Sequence, residues 1–244
     1  MQIHLAGVGG IGVSALAQYF IAQGQEVSGS DAVISDIVLN LEKLGLKIIS
    51  EDGELDPNCE LLIYSEAIEA DSKLRRIAQE KQIRSLSYAQ ALGEISRKHP
   101  TIGICGTHGK STCTAMLGIA LQEAQSDPLV IVGTKVREFN NSNFRLSQKS
   151  DAWFVVEACE YRGSFLNLSP QGLIITNCEY DHPDYYPDFE SYKLAFRQMM
   201  EKVSPSGFIV INRHDQTLVE LSQNLRCKII LVDAQKDPII PQVP

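Results

Sequence analysis

The sequence predicts an α/β protein in two parts: a Rossmann-like parallel-sheet domain over residues 1–99, then an incomplete P-loop-type α/β domain over residues 100–244. Three observations predict it. One apolar strand runs into Gly7-Val8-Gly9-Gly10-Ile11-Gly12, a second runs into Gly106-Thr107-His108-Gly109-Lys110-Ser111, and strand-like and helix-like segments alternate along both halves. Such alternation builds parallel sheets with helices on their faces.

In the first part, Ile3 to Val8 reads as a strand. The segment after its glycines repeats apolar residues at Ala15, Leu16, Tyr19 and Phe20 with helical spacing, and Gly24 stands where a helix stops. Glu26 to Asp31 is a second strand, ending in an acid nineteen residues after Gly12. Strand, glycine turn, helix, strand and acid form the dinucleotide fingerprint, with Asp31 placed for a ribose hydroxyl, so an NAD(P) oxidoreductase is one reading. Leu46 to Ser50 and Glu60 to Ser65 are further strands, and Asp71 to Lys81 is helical. A helix over Tyr88 to Arg97 meets Lys98-His99-Pro100, and the boundary falls there because proline ends a helix.

The second part opens on a strand from Thr101 and the lysine-bearing loop. Its helix is expected to bury Cys113, Leu117, Ala120, Leu121 and Ala124 on one stripe. Asp127 to Arg145 reads as irregular. Ala152 to Val156, Gly172 to Thr176, Gly207 to Ile211 and Lys228 to Val232 are strands, and Asp188 to Val203 is a helix. The terminal Pro238-Ile239-Ile240-Pro241-Gln242-Val243-Pro244 closes no element and reads as a domain cut midway.

With 44% hydrophobic and 21% charged residues, the composition is that of a soluble globular protein. A net charge of −8 implies no basic surface for nucleic acid, so the phosphate binding expected here must come from local donors. Six cysteines without CxxC spacing read as small buried residues in a reducing compartment, not as a disulfide frame or a zinc site. The apolar N-terminus has no preceding Lys or Arg and carries four glycines, which argues against a membrane anchor and for a cytoplasmic protein.

The chemistry is expected at the strand ends. Around Gly106, Thr107, His108 and Gly109, backbone N–H groups can surround phosphates, with the positive end of the helix starting at Lys110, Ser111 and Thr112 behind them. Lys110 then neutralises the outer phosphates and Ser111 ligates Mg²⁺. A strict GxxxxGK[ST] loop would put its first glycine at Ile104, so this loop is a variant. Glu157 and Asn177 end two strands, and the Glu157 carboxylate suits Mg²⁺. His182 is a metal candidate against the simpler reading of a hydrogen-bonded structural histidine. Glu160, Glu179 and Asp181 read as a solvated acidic loop, Tyr161 as packing, and Arg137 and Arg145 as either anion ligands or exposed cations.

These motifs resemble the Mur ligases: Gly7-Val8-Gly9-Gly10-Ile11-Gly12-Val13-Ser14, Ser28-Gly29-Ser30-Asp31, Gly106 to Thr112, Glu157-Ala158-Cys159-Glu160-Tyr161, and Thr176-Asn177 with Asp181-His182. The likeness covers essentially the whole chain. It implies ATP-dependent amide formation, in which UDP-N-acetylmuramate is activated as an acyl phosphate and L-alanine displaces phosphate, serving peptidoglycan precursor synthesis. By the same resemblance Gly9, Gly10, Ile11 and Gly12 hold the UDP-sugar diphosphate instead of NAD(P). Ser30, Asp31, Ser65 of the Ser65-Glu66-Ala67-Ile68 turn, and Asn143 are further substrate candidates. Lys110 and Ser111 contact ATP and Mg²⁺, Asn177 belongs to the ATP site, and Glu157 and His182 ligate magnesium. A family specificity that attaches a whole peptide ranks lower, because its glycine loop differs from the one here. By the same resemblance family members carry a third, C-terminal domain, which is expected to be missing here. The resemblance therefore implies a chain that binds UDP-sugar and ATP without completing ligation, or one completed by a separate chain; a non-catalytic binding remnant is the alternative.

Overall fold

The computed structural model describes residues 1–233, so the proline-rich end expected to interrupt a domain lies outside the described residues. The chain divides into two compact units, one formed by Met1–Ile95 with Leu129–Gln148, the other by Ser96–Pro128 with the chain from Lys149 onward.

The first unit contains β1 (Gln2–Ala6), α1 (Ile11–Ala22), β2 (Glu26–Ser30), α2 (Asp36–Lys43), β3 (Lys47–Ile48), β4 (Leu61–Tyr64), α3 (Lys73–Glu80) and β5 (Arg84–Ser87), followed by α4 (Tyr88–Ser96). These five strands form one parallel sheet, in the order β3-β2-β1-β4-β5. That is the expected Rossmann-like arrangement. β1 lies at the centre with Ile3 and Leu5 fully enclosed; burying such a side chain contributes roughly 1.5–3 kcal/mol. Sequence reading passed over α2 and β5.

The chain then forms β6 (Thr101–Cys105) and α5 (Lys110–Glu123), and next β7 (Leu129–Val136) and β8 (Ser142–Arg145). The segment expected to be irregular is thus an antiparallel hairpin, β7 against β8. Its connection runs through a 3-10 turn at Arg137–Phe139 and ends on Asn140 and Asn141, both left-handed at φ 57° and 56°, a conformation asparagine tolerates. The hairpin folds with the first unit: Phe144 meets the Tyr19 ring edge-on at 6.5 Å, although the sequence boundary assigned it to the second part.

The second unit continues with β9 (Phe154–Glu157), β10 (Gly172–Ile175), α6 (Phe189–Glu201), β11 (Phe208–Asn212), α7 (Gln216–Leu221) and β12 (Lys228–Val232). Five parallel strands follow the order β12-β11-β10-β6-β9. α6 starts on a reciprocal cap in which the Asp188 carboxylate accepts from Ser191 N–H at 2.7 Å and Ser191 Oγ accepts from Asp188 N–H. The stripe expected to be buried on α5 is corrected. Thr114 and Gly118 are its buried residues, Cys113, Leu117 and Leu121 are half-buried, and Ala120 and Ala124 are exposed. Small residues at i and i+4 let α5 lie close to the sheet, so the face with larger residues turns partly outward.

Candidate functional site

The first glycine loop closes against the end of β2. Gly7 and Val8 donate to Ser30 O at 2.8 and 3.1 Å, and Gly10 N–H donates to Gly7 O at 3.1 Å. Gly9 N–H donates to Asp31 Oδ2 at 2.7 Å, while Val33 N–H holds Asp31 Oδ1 at 3.1 Å. A Cβ on Gly9 would stand 2.9 Å from that Oδ2, so a side chain there would have to displace the Asp31 carboxylate. In this state the Asp31 carboxylate is itself the anion on the loop. α1 starts from Gly10 with no side-chain cap and no acid in its first turn, which includes Ile11 and Gly12. Its first N–H groups and dipole therefore point at whatever anion arrives.

Ser30 supports this loop from beneath. It is 1% exposed, and its Oγ lies 3.0 Å from His4 Nε2, with Ser28 Oγ 2.9 Å from His4 Nδ1. Burial lowers the His4 pKa to about 4, so the imidazole is neutral. Ser65, beyond β4, donates its N–H to Ala6 O at 3.0 Å and shapes the neighbouring turn. Asn143 is buried: its Nδ2 donates to Ile11 O and to Ser14 Oγ, and its Oδ1 accepts from Gln18. Ile11 and Asn143 line one cleft of about 600 Å³, together with Gln18, Lys43 and Lys135.

In the second unit β6 lies between β10 and β9, so the loops after all three strands meet at their carboxyl ends, where α/β sheets bind ligands. Gly106 has φ 134°, and a Cβ there would fall 2.0 Å from Thr176 Oγ1. That hydroxyl donates to His108 O at 2.6 Å. Asn177 holds the His108 backbone at both of its polar groups, its Oδ1 accepting from His108 N–H at 2.9 Å and its Nδ2 donating to His108 O at 3.1 Å. Thr107 Oγ1 accepts from Glu179 N–H at 2.9 Å and lies 3.0 Å from Tyr192 Oη. α5 begins after Gly109 with no side-chain cap and no acid in its first turn. Ser111 is half-buried and Thr112 exposed in that turn.

Lys110 Nζ donates to Gly106 O at 2.7 Å, Thr107 O at 3.0 Å and Glu160 Oε1 at 3.0 Å. His182 Nε2 lies 3.2 Å from the same Oε1, and the His182 ring lies 4.7 Å from that of Tyr161. The reading of Glu160 as a solvated acid is therefore corrected: it is 0% exposed, because a lysine fifty positions away and a histidine twenty-two away enclose it. Glu179 is exposed, as expected. Tyr186 Oη donates to Glu160 O at 2.6 Å, and burial pushes this phenol up to about 12, keeping it a donor. Glu160, Asp181 and His182 bring ligand atoms within 4.8 Å of one another. Glu157 stands half-buried at the end of β9, outside that group.

All six thiols have pKa values raised mainly by burial, which fits structural cysteines, although Cys159 is exposed as a residue. No described helix is long and apolar enough to cross a membrane.

A family model described as the Mur ligase family catalytic domain matches residues 2–100, and one described as the Mur ligase middle domain matches residues 104–240. Relatives named UDP-N-acetylmuramate--L-alanine ligase from Borrelia garinii subsp. bavariensis and Acetivibrio thermocellus are 38% and 35% identical over 231 residues. The matches cover 92% and 94% of this chain and 49% of each relative. The chain thus spans about half the length of the curated relatives it matches. Among solved structures, the UDP-N-acetylmuramate-alanine ligase of Thermotoga maritima aligns with TM-score 0.77 at 27% identity, over 96% of this chain and 53% of that one. A UDP-N-acetylmuramate:L-alanyl-gamma-D-glutamyl-meso-diaminopimelate ligase from Neisseria meningitides aligns with TM-score 0.83 at 24% identity, over 94% and 77%, a likeness of fold.

Proposed function

The chain belongs to the Mur ligase family, and we propose that it supplies the UDP-sugar-binding and ATP-binding portions of a ligase joining L-alanine to UDP-N-acetylmuramate. Membership in the family sets aside the nicotinamide reading of the first loop. The observation that carries the proposal is the second loop: an uncapped helix start, a lysine folded over it, and a carboxylate–histidine pair beside it. The choice of L-alanine is supported by the names of relatives at 35–38% identity. The peptide-attaching neighbour supports the fold alone.

ATP with Mg²⁺ supplies the γ-phosphoryl group that turns the sugar carboxylate into an acyl phosphate, from which an amine displaces phosphate. The residues divide that work. Lys110 places an ammonium on the outer phosphates, where charge builds during transfer. The first-turn N–H groups at Lys110, Ser111 and Thr112 receive phosphate oxygens. Gly106, Thr107, His108 and Gly109 form the loop, which Asn177 holds in shape through the His108 backbone N–H and carbonyl. Ser111 is the hydroxyl ligand for Mg²⁺, and Glu157 and His182 are its carboxylate and imidazole candidates. Of these, His182 groups with the oxygen donors of Glu160 and Asp181, a set that suits the ion, whereas Glu157 stands outside that group. Gly9, Gly10, Ile11 and Gly12 receive the diphosphate of the UDP-sugar, with Asp31, Ser65 and Asn143 around it and Ser30 beneath the loop.

Calorimetry with Mg-ATP tests the assignment of the second loop. Lys110→Ala should weaken binding about tenfold or more, the loss of one charge-assisted contact, while circular dichroism stays unchanged. Equal affinities would remove Lys110 from the site.

A further inference from the structure

The Glu160 carboxylate has more partners on one oxygen than on the other. Oε1 carries both Lys110 Nζ, at 3.0 Å, and His182 Nε2, at 3.2 Å. Oε2 is buried and has no hydrogen-bond partner among the described residues. Lys110 in turn spends its three N–H groups on Gly106 O, Thr107 O and Glu160. Reaching a phosphate therefore means leaving at least one of these acceptors. A fully enclosed carboxylate left without a cation is strongly unfavourable, so departure of Lys110 from Glu160 must be matched by arrival of another positive charge. The groups around this carboxylate suit a metal ion: Asp181 Oδ2 lies 3.8 Å from His182 Nε2, and one ligand atom from each of Glu160, Asp181 and His182 falls within 4.8 Å of the others. Two carboxylates and an imidazole form a donor set for Mg²⁺ or Mn²⁺, Mn²⁺ accepting the nitrogen more readily.

We propose that Glu160 is an exchangeable anion: it pairs with Lys110 while the loop lacks nucleotide, and joins Asp181 and His182 around a divalent cation once phosphate draws Lys110 away. The exchange rests on the reading of the second loop as a phosphate site, but competition between Lys110 and metal for Glu160 does not require nucleotide. It makes Lys110 an internal blocker of the metal site. It also makes Glu160 a positioning residue for Lys110, by holding the ammonium within reach of the loop.

The test is a titration of the metal-free chain with Mn²⁺ alone, following the free-ion signal by electron paramagnetic resonance. Wild type should bind weakly, and Lys110→Met should bind about tenfold more tightly, the scale on which a ligand's neighbours tune metal affinity. The double variant Lys110→Met/Glu160→Gln should lose that gain, while Glu160→Asp in the Lys110→Met background should retain part of it. Circular dichroism and the thermal transition establish that each variant is folded, and Lys110→Gln replaces Lys110→Met if the latter is not. Wild-type Mn²⁺ affinity in the folded Lys110 variant, or a gain that survives Glu160→Gln, overturns the exchange. Because no nucleotide is present, failure here leaves the ATP titration of Lys110→Ala standing, and failure there leaves this result standing.

Discussion

α1 and α5 each start from a glycine, Gly10 and Gly109, and neither first turn carries an acid or a side-chain cap. What surrounds the two openings differs. The first loop holds a carboxylate, Asp31, on the Gly9 N–H and rests on a neutral histidine buried between two serine hydroxyls. The second is crossed by an ammonium, and a buried carboxylate and a histidine flank it. One loop offers N–H groups and a helix dipole, which suits an anion that is bound and keeps its charge. The other adds a cation and metal-type donors, which suits a phosphoryl group whose charge rises during transfer. Glycine, too, serves differently: at Gly9 it admits the end of a flexible side chain, whereas at Gly106 it admits Thr176 into a fixed hydrogen-bond network.

That last contrast can be broken by placing a methyl group at each position. Gly106→Ala puts a Cβ at φ 134° and 2.0 Å from Thr176 Oγ1, and should destabilise the second unit by about 3 kcal/mol or more. Gly9→Ala meets only the Asp31 carboxyl group, with Oδ2 at 2.9 Å and Cγ at 3.0 Å, which can rotate away, so about 1 kcal/mol or less is expected. Urea denaturation of both variants reads the difference, and equal losses would end the distinction between a fixed and a yielding loop.

The histidine beneath the first loop sharpens the comparison through pH. His4 is 1% exposed with its pKa lowered to about 4 by burial, against 6.5 in the unfolded chain. The folded state thus binds fewer protons between those values. Its stabilising contribution is complete above pH 6.5 and is lost as pH falls towards 4, by about 3 kcal/mol in all. Urea midpoints measured between pH 7 and 4 should fall on this account, and His4→Gln should flatten that part of the profile. An unchanged slope in His4→Gln would assign the acid sensitivity to other groups.

Much of this arrangement was legible because it is local. Gly7 to Gly12 and Gly106 to Ser111 each announce a strand, a turn and a helix within a dozen residues, and β1, α1, β6 and α5 formed there. The segments passed over had weaker local patterns. β5 is four residues, Arg-Ser-Leu-Ser, whose register against β4 decides its state, and α7 is six residues long. The hairpin carried an apolar run, Leu129-Val130-Ile131-Val132, but its exposed Gly133-Thr134-Lys135 and the left-handed Asn140-Asn141 turn hid the pairing. Glu160 was misread for a different reason. Its burial depends on Lys110 and His182, which only the order β10-β6-β9 brings beside it. The local trace was slight: an acid between Cys159 and Tyr161, three residues after Glu157.

The central claim, that the two loops hold different ligands, is tested most directly by crossed calorimetry. UDP-N-acetylmuramate and Mg-ATP would each be titrated into wild type, Gly9→Asp and Lys110→Ala. The account predicts that Gly9→Asp, which sets a second carboxylate beside Asp31, abolishes UDP-sugar binding and spares ATP, while Lys110→Ala weakens ATP and spares the UDP-sugar. Loss of the UDP-sugar on Lys110→Ala with retention on Gly9→Asp would contradict it.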